Sequence, residues 1–245
     1  MENPTTTSQP PPDLPMPPSG REAVRSRIKM GLILGVGLFC MMPSAIMVIR
    51  QFMKEGKAAA CTEAFNNLRA ISVSFIDFDS EYGAFPSAAT APEVKSTTGT
   101  PLTLGDTSSN QIFRQLIAHG LKSEKPFWAA NASAKKPDDL FHDDAHALAP
   151  GECGYAYIAG VSSSSPGDAP LVVSPLIRGS TSFDRTVFGG KAVVLTANGL
   201  TRLFNIHPSW KVIIGGKDIF DPSQPFWGGK APDIKWHEPD PNFVR

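Results

Sequence analysis

The hydrophobic pattern of the chain begins with a long, uninterrupted apolar run. Residues 30–49 carry no charge and are bracketed by Lys29 and Arg50. As a helix, at about 1.5 Å per residue, this run is about 30 Å long, which is the thickness of the hydrocarbon core of a membrane. We therefore predict a transmembrane helix over residues 30–49. The alternative is a cleaved signal peptide, whose hydrophobic part normally has only about 7–15 residues.

Farther along the chain, apolar residues occur on one face of a predicted helix rather than in an uninterrupted run. Residues 58–82 contain neither Pro nor Gly, and apolar side chains recur there at helical spacing. Gly83 is the expected end of this helix, and Pro86 prevents its continuation. We predict an amphipathic helix within residues 50–86, with Phe65, Leu68, Phe75 and Phe78 on its apolar face.

Residues 87–245 predict a globular head with shorter elements. Residues 87–109 are rich in Ser, Thr, Ala and Pro and indicate a loop, whereas residues 109–119 carry an apolar stripe typical of a second helix. Ser108 and Gln111 resemble a capping box at its start, and Gly120 is the expected stop. Strands are predicted at residues 154–158 and 170–174. The Trp- and Pro-rich residues 207–245 indicate an extended tail packed on the head.

The strongest local signal in the head is a hairpin over residues 191–206. Two runs of β-prone residues flank Asn198 and Gly199. An Asn-Gly pair is typical of a type I′ turn, in which both residues have a positive φ. Together with the helices, this hairpin predicts an α+β fold with a small antiparallel sheet.

Composition excludes one class of partner and identifies a distinct N-terminal arm. The chain has 23 basic and 23 acidic residues, and this balance argues against a nucleic-acid-binding protein. Seven prolines lie in the first 20 residues, so we predict a disordered, Pro-rich arm over residues 1–29. Such an arm can dock into aromatic grooves, but a solvated tail is the simpler interpretation.

The junction between the apolar run and the head resembles a known family. Residues 67–71 read Asn-Leu-Arg-Ala-Ile, and residues 78–86 read Phe-Asp-Ser-Glu-Tyr-Gly-Ala-Phe-Pro. A membrane helix that leads into such an amphipathic helix resembles the type IV pilins, and above all the pseudopilins of type II secretion. The resemblance covers residues 30–86. It implies a pilin-like head in which Phe65, Leu68, Phe75 and Phe78 are buried against a small antiparallel sheet. It also implies other pilin-like subunits or secretion-apparatus proteins as partners.

The chain departs from this family at the cleavage site. Prepilins have a Gly followed by an apolar run with Glu at its fifth position. Here Val36 stands at that position after Gly31, and no acidic residue lies in residues 30–49. The resemblance therefore implies a permanently anchored relative in a bacterial inner membrane. The small excess of basic residues before the span places the N-terminus in the cytoplasm and the head in the periplasm.

Two candidate sites could carry chemistry, and for each a structural interpretation is simpler. Asp138, Asp139, His142, Asp143, Asp144 and His146 could bind Ca²⁺ or a transition metal, but their spacing matches no EF-hand and favours a solvated loop. Ser133 and Lys136 have the spacing of a Ser/Lys hydrolase without its companion motifs. We therefore predict no enzyme, no cofactor and no metal site.

Cysteines and aromatic residues leave further alternatives open. Cys61 and Cys153 could form a disulfide bond in the exported part or remain as two buried thiols, whereas Cys40 is an apolar residue of the predicted span. The sequence Pro-Phe-Trp occurs at residues 126–128 and again at 225–227. Its aromatic side chains could line a ligand-binding surface or anchor loops to the core. A membrane-anchored periplasmic ligand-binding module is therefore the alternative function.

Overall fold

The structure is a computed structural model that describes the backbone of residues 20–242 and the side chains of residues 47–242. The described chain divides into two units, one that ends at Phe52 and one that begins at Met53. The predicted arm, residues 1–29, lies outside the described side chains, and its backbone is described only from Gly20. The predicted transmembrane residues 30–46 also lie outside the described side chains.

Three α-helices occur in the described part of the chain. Helix α1 is Gly20–Tyr82, α2 is Ala91–Thr98 and α3 is Ser109–His119. A 3₁₀ turn, Lys125–Phe127, follows α3. Helix α1 ends as predicted, because Gly83 adopts a φ of +68° and donates its N–H to Asp79.

The strands form one antiparallel sheet and one small hairpin. The sheet contains β1 (Ala156–Ala159), β2 (Pro170–Ser174), β3 (Lys191–Thr196), β4 (Thr201–Asn205) and β7 (Asp233–Lys235), in the order β4-β3-β2-β1-β7. The hairpin pairs β5 (Ile213–Ile214) with β6 (Lys217–Asp218). This architecture confirms the α+β class with an antiparallel sheet, and β2 has the predicted limits.

The apolar stripe of α1 forms much of the core. Leu68 and Phe78 are fully buried, Phe75 is 2% exposed and Phe65 is partly buried. The ring of Phe75 stacks on Tyr157 of β1 at a centroid distance of 5.9 Å. Because Tyr157 belongs to the sheet, the predicted contact with a sheet is confirmed for Phe75, whereas Phe65 is less buried than predicted.

The prediction of a loop over residues 87–109 is wrong in part, because it contains α2. Pro92 lies in the first turn of α2, where its missing N–H costs no hydrogen bond. Gly99 ends the helix in the left-handed region, with a φ of +63°. Val94 is fully buried, so even this polar segment supplies a side chain to the core.

Helix α3 begins and ends as predicted, although its capping differs in detail. The Ser108 hydroxyl accepts the Gln111 N–H at 3.2 Å, as in a capping box. The Gln111 side chain does not complete the box, because its oxygen accepts the Thr107 hydroxyl at 2.9 Å. Gly120 follows the helix and donates its N–H to Leu116 and Ile117.

The hairpin of β3 and β4 is confirmed, but its predicted type I′ turn is wrong. Only Gly199 has a positive φ, +80°, whereas Asn198 does not. Gly199 donates its N–H to Thr196, and Thr196 donates its own to Leu200. This is a three-residue loop with a type I turn and a glycine bulge, the other hairpin geometry that tolerates Asn-Gly.

The C-terminal residues contribute more than a packed tail. Strand β7 pairs with β1 and completes one edge of the sheet. The carbonyl of Trp236 accepts the Ser109 N–H at 3.1 Å, and the indole of Trp236 donates to Ser180 at 3.3 Å. The predicted extended tail therefore includes a strand and fixes the start of α3.

Candidate functional site

The last described residues of the N-terminal unit expose an unusual number of apolar side chains. Met47 is 75% exposed and Phe52 70%, and Val48 and Ile49 are each more than half exposed. These side chains point in several directions around a helix, because their spacing covers more than one face. Within residues 47–242, no helix has an apolar stretch long enough to cross a membrane. Most of the predicted span lies before these residues.

A second exposed apolar surface lies on the head, where α1 meets the sheet. Val73 and Ile76 of α1 are 58% and 55% exposed, and Leu200 and Leu203 of the hairpin are 53% and 50% exposed. We call these four residues the α1–β4 surface. Single exposed apolar residues are normal, but several large ones on adjoining elements are typical of an interaction site.

Direct contacts hold the two elements of the α1–β4 surface together. The Ser72 hydroxyl donates to the Gly199 carbonyl at 2.8 Å. A Cβ atom on Gly199 would lie 3.6 Å from Cδ1 of Ile76 and 3.2 Å from Oγ of Ser72. The absence of a side chain at Gly199 therefore lets the turn approach α1 closely.

Strand register places Leu203 on the side of the sheet that faces α1. Tyr157, which stacks on Phe75 of α1, pairs through Val172 and Leu195 with Thr201. Leu203 is two residues from Thr201 and shares its face, because side chains alternate along a strand. Strand β4 ends the sheet, so no further strand of the described chain covers its outer side.

Two opposite charges flank the helical part of this surface. Arg69 and Asp77 lie four residues before and four residues after Val73, and both are exposed. Residues four apart share a helix face. Neither side chain has an ion-pair partner within the described residues. The surface therefore combines apolar contact area with one unpaired charge of each sign.

The acidic segment, for which a metal site was the less favoured interpretation, forms contacts within the head. Asp139 pairs with Lys125 at 2.7 Å, and this contact lowers the pKa of Asp139. Asp144 accepts the Thr103 hydroxyl at 2.5 Å, which lowers its pKa, and it also pairs with Arg114 at 3.4 Å. Among residues 47–242, no group of three or more His, Cys, Asp or Glu side chains could hold a metal ion.

The remaining acidic residues also make short-range contacts. The Asp138 carboxylate accepts the N–H of Leu140 at 2.8 Å. Asp143 lies 2.8 Å from His146, an exposed contact that lowers the pKa of Asp143 and raises that of His146. The rings of Phe141 and His142 lie 4.5 Å apart. The segment is therefore organised by its own turns and by contacts with other parts of the head.

Two buried carboxyl groups beside this segment escaped the sequence analysis. Glu124 is fully buried, and its Oε1 accepts the N–H of Leu148 while its Oε2 has no hydrogen-bond partner. Burial, followed by weaker repulsion from Glu152, raises the pKa of Glu124 to about 7. Glu152 is 3% exposed, accepts the Ala149 N–H at 2.8 Å and lies 3.5 Å from Lys135. No sequence signal distinguishes these residues from exposed glutamates.

Ser133 and Lys136 have separate structural contacts. The Ser133 hydroxyl accepts the Ala129 N–H at 3.1 Å, and the side chain is 8% exposed. The ammonium group of Lys136 lies over the ring of Trp128, 5.3 Å from its centre. Each residue therefore has a partner other than the one that a Ser/Lys hydrolase requires.

The two cysteines of the head are free and buried, so the disulfide alternative is wrong for this structure. Cys153 is fully buried beside the Ser109 hydroxyl, at 3.8 Å, and burial raises its pKa to about 12. Burial also raises the pKa of Cys61. Thiols with raised pKa values are poor nucleophiles near neutral pH, and both behave as core residues. Cys40 lies outside the described side chains.

The tryptophans favour anchoring over an exposed aromatic surface. Trp227 and Trp236 are half-buried, and their indole N–H groups donate to the carbonyls of Ile219 and Ser180. Trp128 is half-buried beneath Lys136, and its neighbour Phe127 is fully buried. Only Trp210 is exposed among the described tryptophans, at 40%. A binding surface built from several exposed tryptophans is therefore not formed.

No protein-family model, curated protein or solved structure matches the chain.

Proposed function

We propose that the chain is a membrane-anchored, pilin-like structural or assembly protein of a bacterial secretion or surface apparatus. Residues 30–49 would cross the inner membrane, with the N-terminus in the cytoplasm and the head in the periplasm. The head would present its α1–β4 surface to further copies or to other pilin-like subunits. In this proposal the protein has no catalytic role.

The observation that carries the anchoring is the exposure of Met47, Val48, Ile49 and Phe52. A helix that is apolar on all sides is suited to lipid or to a protein core. Among the described residues of their unit, no core covers these side chains, and the uncharged run precedes them directly in the sequence. Lipid is therefore the environment that accounts best for both features.

The plan of the head supports the pilin-like part of the proposal. The stripe of α1 packs on an antiparallel sheet through Phe75 and Tyr157. The helix also forms polar contacts with the rest of the head, because Asn67 donates to the Trp128 carbonyl and Tyr155 to the Ala64 carbonyl. This arrangement agrees with the family whose sequence the junction resembles.

The charges beside the α1–β4 surface suggest how copies would associate. Copies anchored in one membrane have parallel α1 helices. A shift of eight residues between two such helices, about 12 Å, would place Arg69 of one copy beside Asp77 of the next. The contact joins two different patches, so it is heterologous and can be repeated from copy to copy.

Disulfide cross-linking between two differently tagged copies tests this association. We expect a cross-linked dimer when one copy carries Arg69→Cys and the other Asp77→Cys, and little when both carry the same substitution. The native thiols at Cys61 and Cys153 are buried and should not react. A matched control is Glu81→Cys, which is exposed on another part of α1.

Two results would contradict the staggered association. One is the absence of a mixed dimer in membranes that contain both variants. The other is a dimer of equal yield with the Glu81→Cys control, because that would reflect random collision. Strong dimers from identical copies would instead indicate a two-fold symmetric contact, which the proposal does not predict.

A further inference from the structure

The face of the sheet opposite to α1 carries a cleft of about 520 Å³. Its floor is formed by Val194 of β3 and Phe204 of β4. Its far wall is formed by Ile214 of the small hairpin and by Phe226. Volumes of this size and a predominantly apolar lining are typical of small-molecule sites. We call it the back cleft.

Buried hydrogen bonds fix the far wall of the back cleft. Gln224 is 4% exposed, and its amide nitrogen donates to the carbonyls of Ile214, Lys217 and Asp218 at 3.0–3.3 Å. The indole of Trp227 donates to Ile219 at 2.8 Å. These contacts join the small hairpin to the segment that carries Phe226. The cleft is therefore held open by its own framework, which lowers the cost of ordering on binding.

The charged groups of the back cleft favour an anion. Arg202 and Lys217 line it together with a single acidic side chain, Asp168. The Asp168 carboxylate forms an ion pair with the Arg202 guanidinium group at 2.7 Å, and the Lys217 ammonium group donates to the Ser223 carbonyl at 3.3 Å. A guanidinium group has five N–H donors and an ammonium group three, so both retain donors for a ligand.

We propose that the back cleft binds a small amphipathic anion, with its apolar body between Phe204 and Phe226 and its carboxylate or sulfonate group toward Arg202 and Lys217. The apolar floor supplies contact area, and the excess of positive charge selects a negative group. The site lies on the opposite face of the sheet from the α1–β4 surface. A ligand could therefore bind while the head contacts another subunit.

Calorimetric titration of the full chain with 3-phenylpropionate tests this proposal, with the same nonionic detergent for every variant. This probe joins one aromatic ring to one carboxylate. We expect saturable binding with one site per chain. The neutral isostere 3-phenylpropanol should bind about tenfold more weakly, because it lacks the group that faces the two cations.

Substitutions within the cleft locate the binding site. Lys217→Glu reverses a charge on an exposed side chain, so it should leave folding intact and weaken binding by about tenfold or more. Phe226→Ala removes one of the two aromatic side chains that line the cleft and should weaken binding to a similar extent. Lys230→Glu is the matched control, because this exposed lysine lies outside the cleft.

The proposal would be overturned by the absence of saturable binding up to roughly 10 mM probe, by equal affinity for the alcohol, or by unchanged affinity in Lys217→Glu. Equal weakening by Lys217→Glu and Lys230→Glu would also overturn it, because it would reflect net charge rather than a site.

Discussion

The core around α1 and the segment that connects α3 to β1, residues 121–155, are stabilised by different kinds of contact. Around α1, apolar side chains at helical spacing pack on the sheet, as Phe75 does on Tyr157. In the connecting segment, polar side chains hold an irregular backbone. The apolar packing around α1 does not depend on protonation. The polar contacts of the connecting segment include carboxyl groups, which can be protonated. The two regions should therefore respond differently to pH.

The polar contacts of the connecting segment come from distant parts of the chain. Arg114 of α3 donates to the Ala147 carbonyl at 2.8 Å, and Asn110 donates to the Leu148 carbonyl at 2.8 Å. Glu124 accepts the N–H of the same Leu148, which is buried at a φ of +45°. A non-glycine residue adopts such a φ only where surrounding contacts impose it. The segment thus combines buried apolar side chains such as Phe127 and Tyr155 with a few specific hydrogen bonds that fix its irregular backbone.

The largest effect is expected from removing the central aromatic ring of the α1 core. Phe75→Ala should lower the free energy of unfolding by about 3–5 kcal/mol, because Phe75 is 2% exposed and contacts three other aromatic rings. The loss should not change with pH. Urea denaturation followed by tryptophan fluorescence at two pH values measures both statements.

Val73→Ala is the matched control for Phe75→Ala, because Val73 lies on the same helix and is 58% exposed. Its effect should stay within about 0.5 kcal/mol. If Phe75→Ala also changed stability this little, or if a chain starting at Pro86 folded cooperatively without α1, the stripe would not stabilise the head.

The next effect concerns Glu124 in the connecting segment and appears as a dependence on pH. Burial raises the pKa of Glu124 from its ordinary value of 4.5 to about 7 in the folded protein. The folded state then binds the proton more tightly than the unfolded state. The stabilisation of the fold by this proton is fully present below about pH 4.5. It is lost as the pH rises through about 7, and the free energy of unfolding falls by up to about 3 kcal/mol.

Glu124→Gln isolates this contribution because the amide keeps an acceptor for the Leu148 N–H and does not titrate. Between pH 4.5 and 7, the variant should lose less stability than the wild type when both are unfolded in urea. The exposed Glu93→Gln should retain the wild-type profile. Parallel profiles for wild type and Glu124→Gln would show that Glu124 does not titrate in this range.

The smallest effect is expected at the turn where the sheet meets α1. Gly199→Ala should cost about 1 kcal/mol, because Gly199 has a φ of +80° and its Cβ would lie 3.2 Å from the Ser72 hydroxyl. Gly56→Ala provides the opposite case within α1, where a Cβ meets no atom within 4 Å. It should raise stability by up to about 1 kcal/mol. Thermal melting of both variants should give shifts of opposite sign.

Sequence reasoning predicted the elements that are encoded by a pattern of neighbouring residues. The spacing of Leu68 and Phe75 was sufficient to predict the core face of α1, and the two β-prone runs around Asn198 and Gly199 were sufficient to predict the hairpin. Sequence reasoning did not distinguish between the two types of hairpin turn that an Asn-Gly pair allows, because the turn type depends on the hydrogen bonds that Thr196 forms. It also missed α2, although Thr90, Pro92 and Gly99 are start and stop signals of a short helix.

The connecting segment and the α1–β4 surface could not be predicted in the same way. Glu124 is buried beside Leu148 and Glu152, which are distant from it in the sequence, and no periodicity marks it. Val73 and Ile76 interrupt a polar helix face, but their significance depends on Leu200 and Leu203, which only the fold places alongside. The back cleft likewise combines residues from several separate segments.

Mass measurement of the mature chain from carbonate-washed membranes tests the central claim of membrane anchoring most directly. We expect the protein to stay with the membranes and to retain residues 1–29, at a mass close to 26.3 kDa. The basis is the uncharged run of residues 30–49 and the exposed apolar side chains that follow it. A soluble mature form that begins near Ile46 or Cys61 would contradict the account.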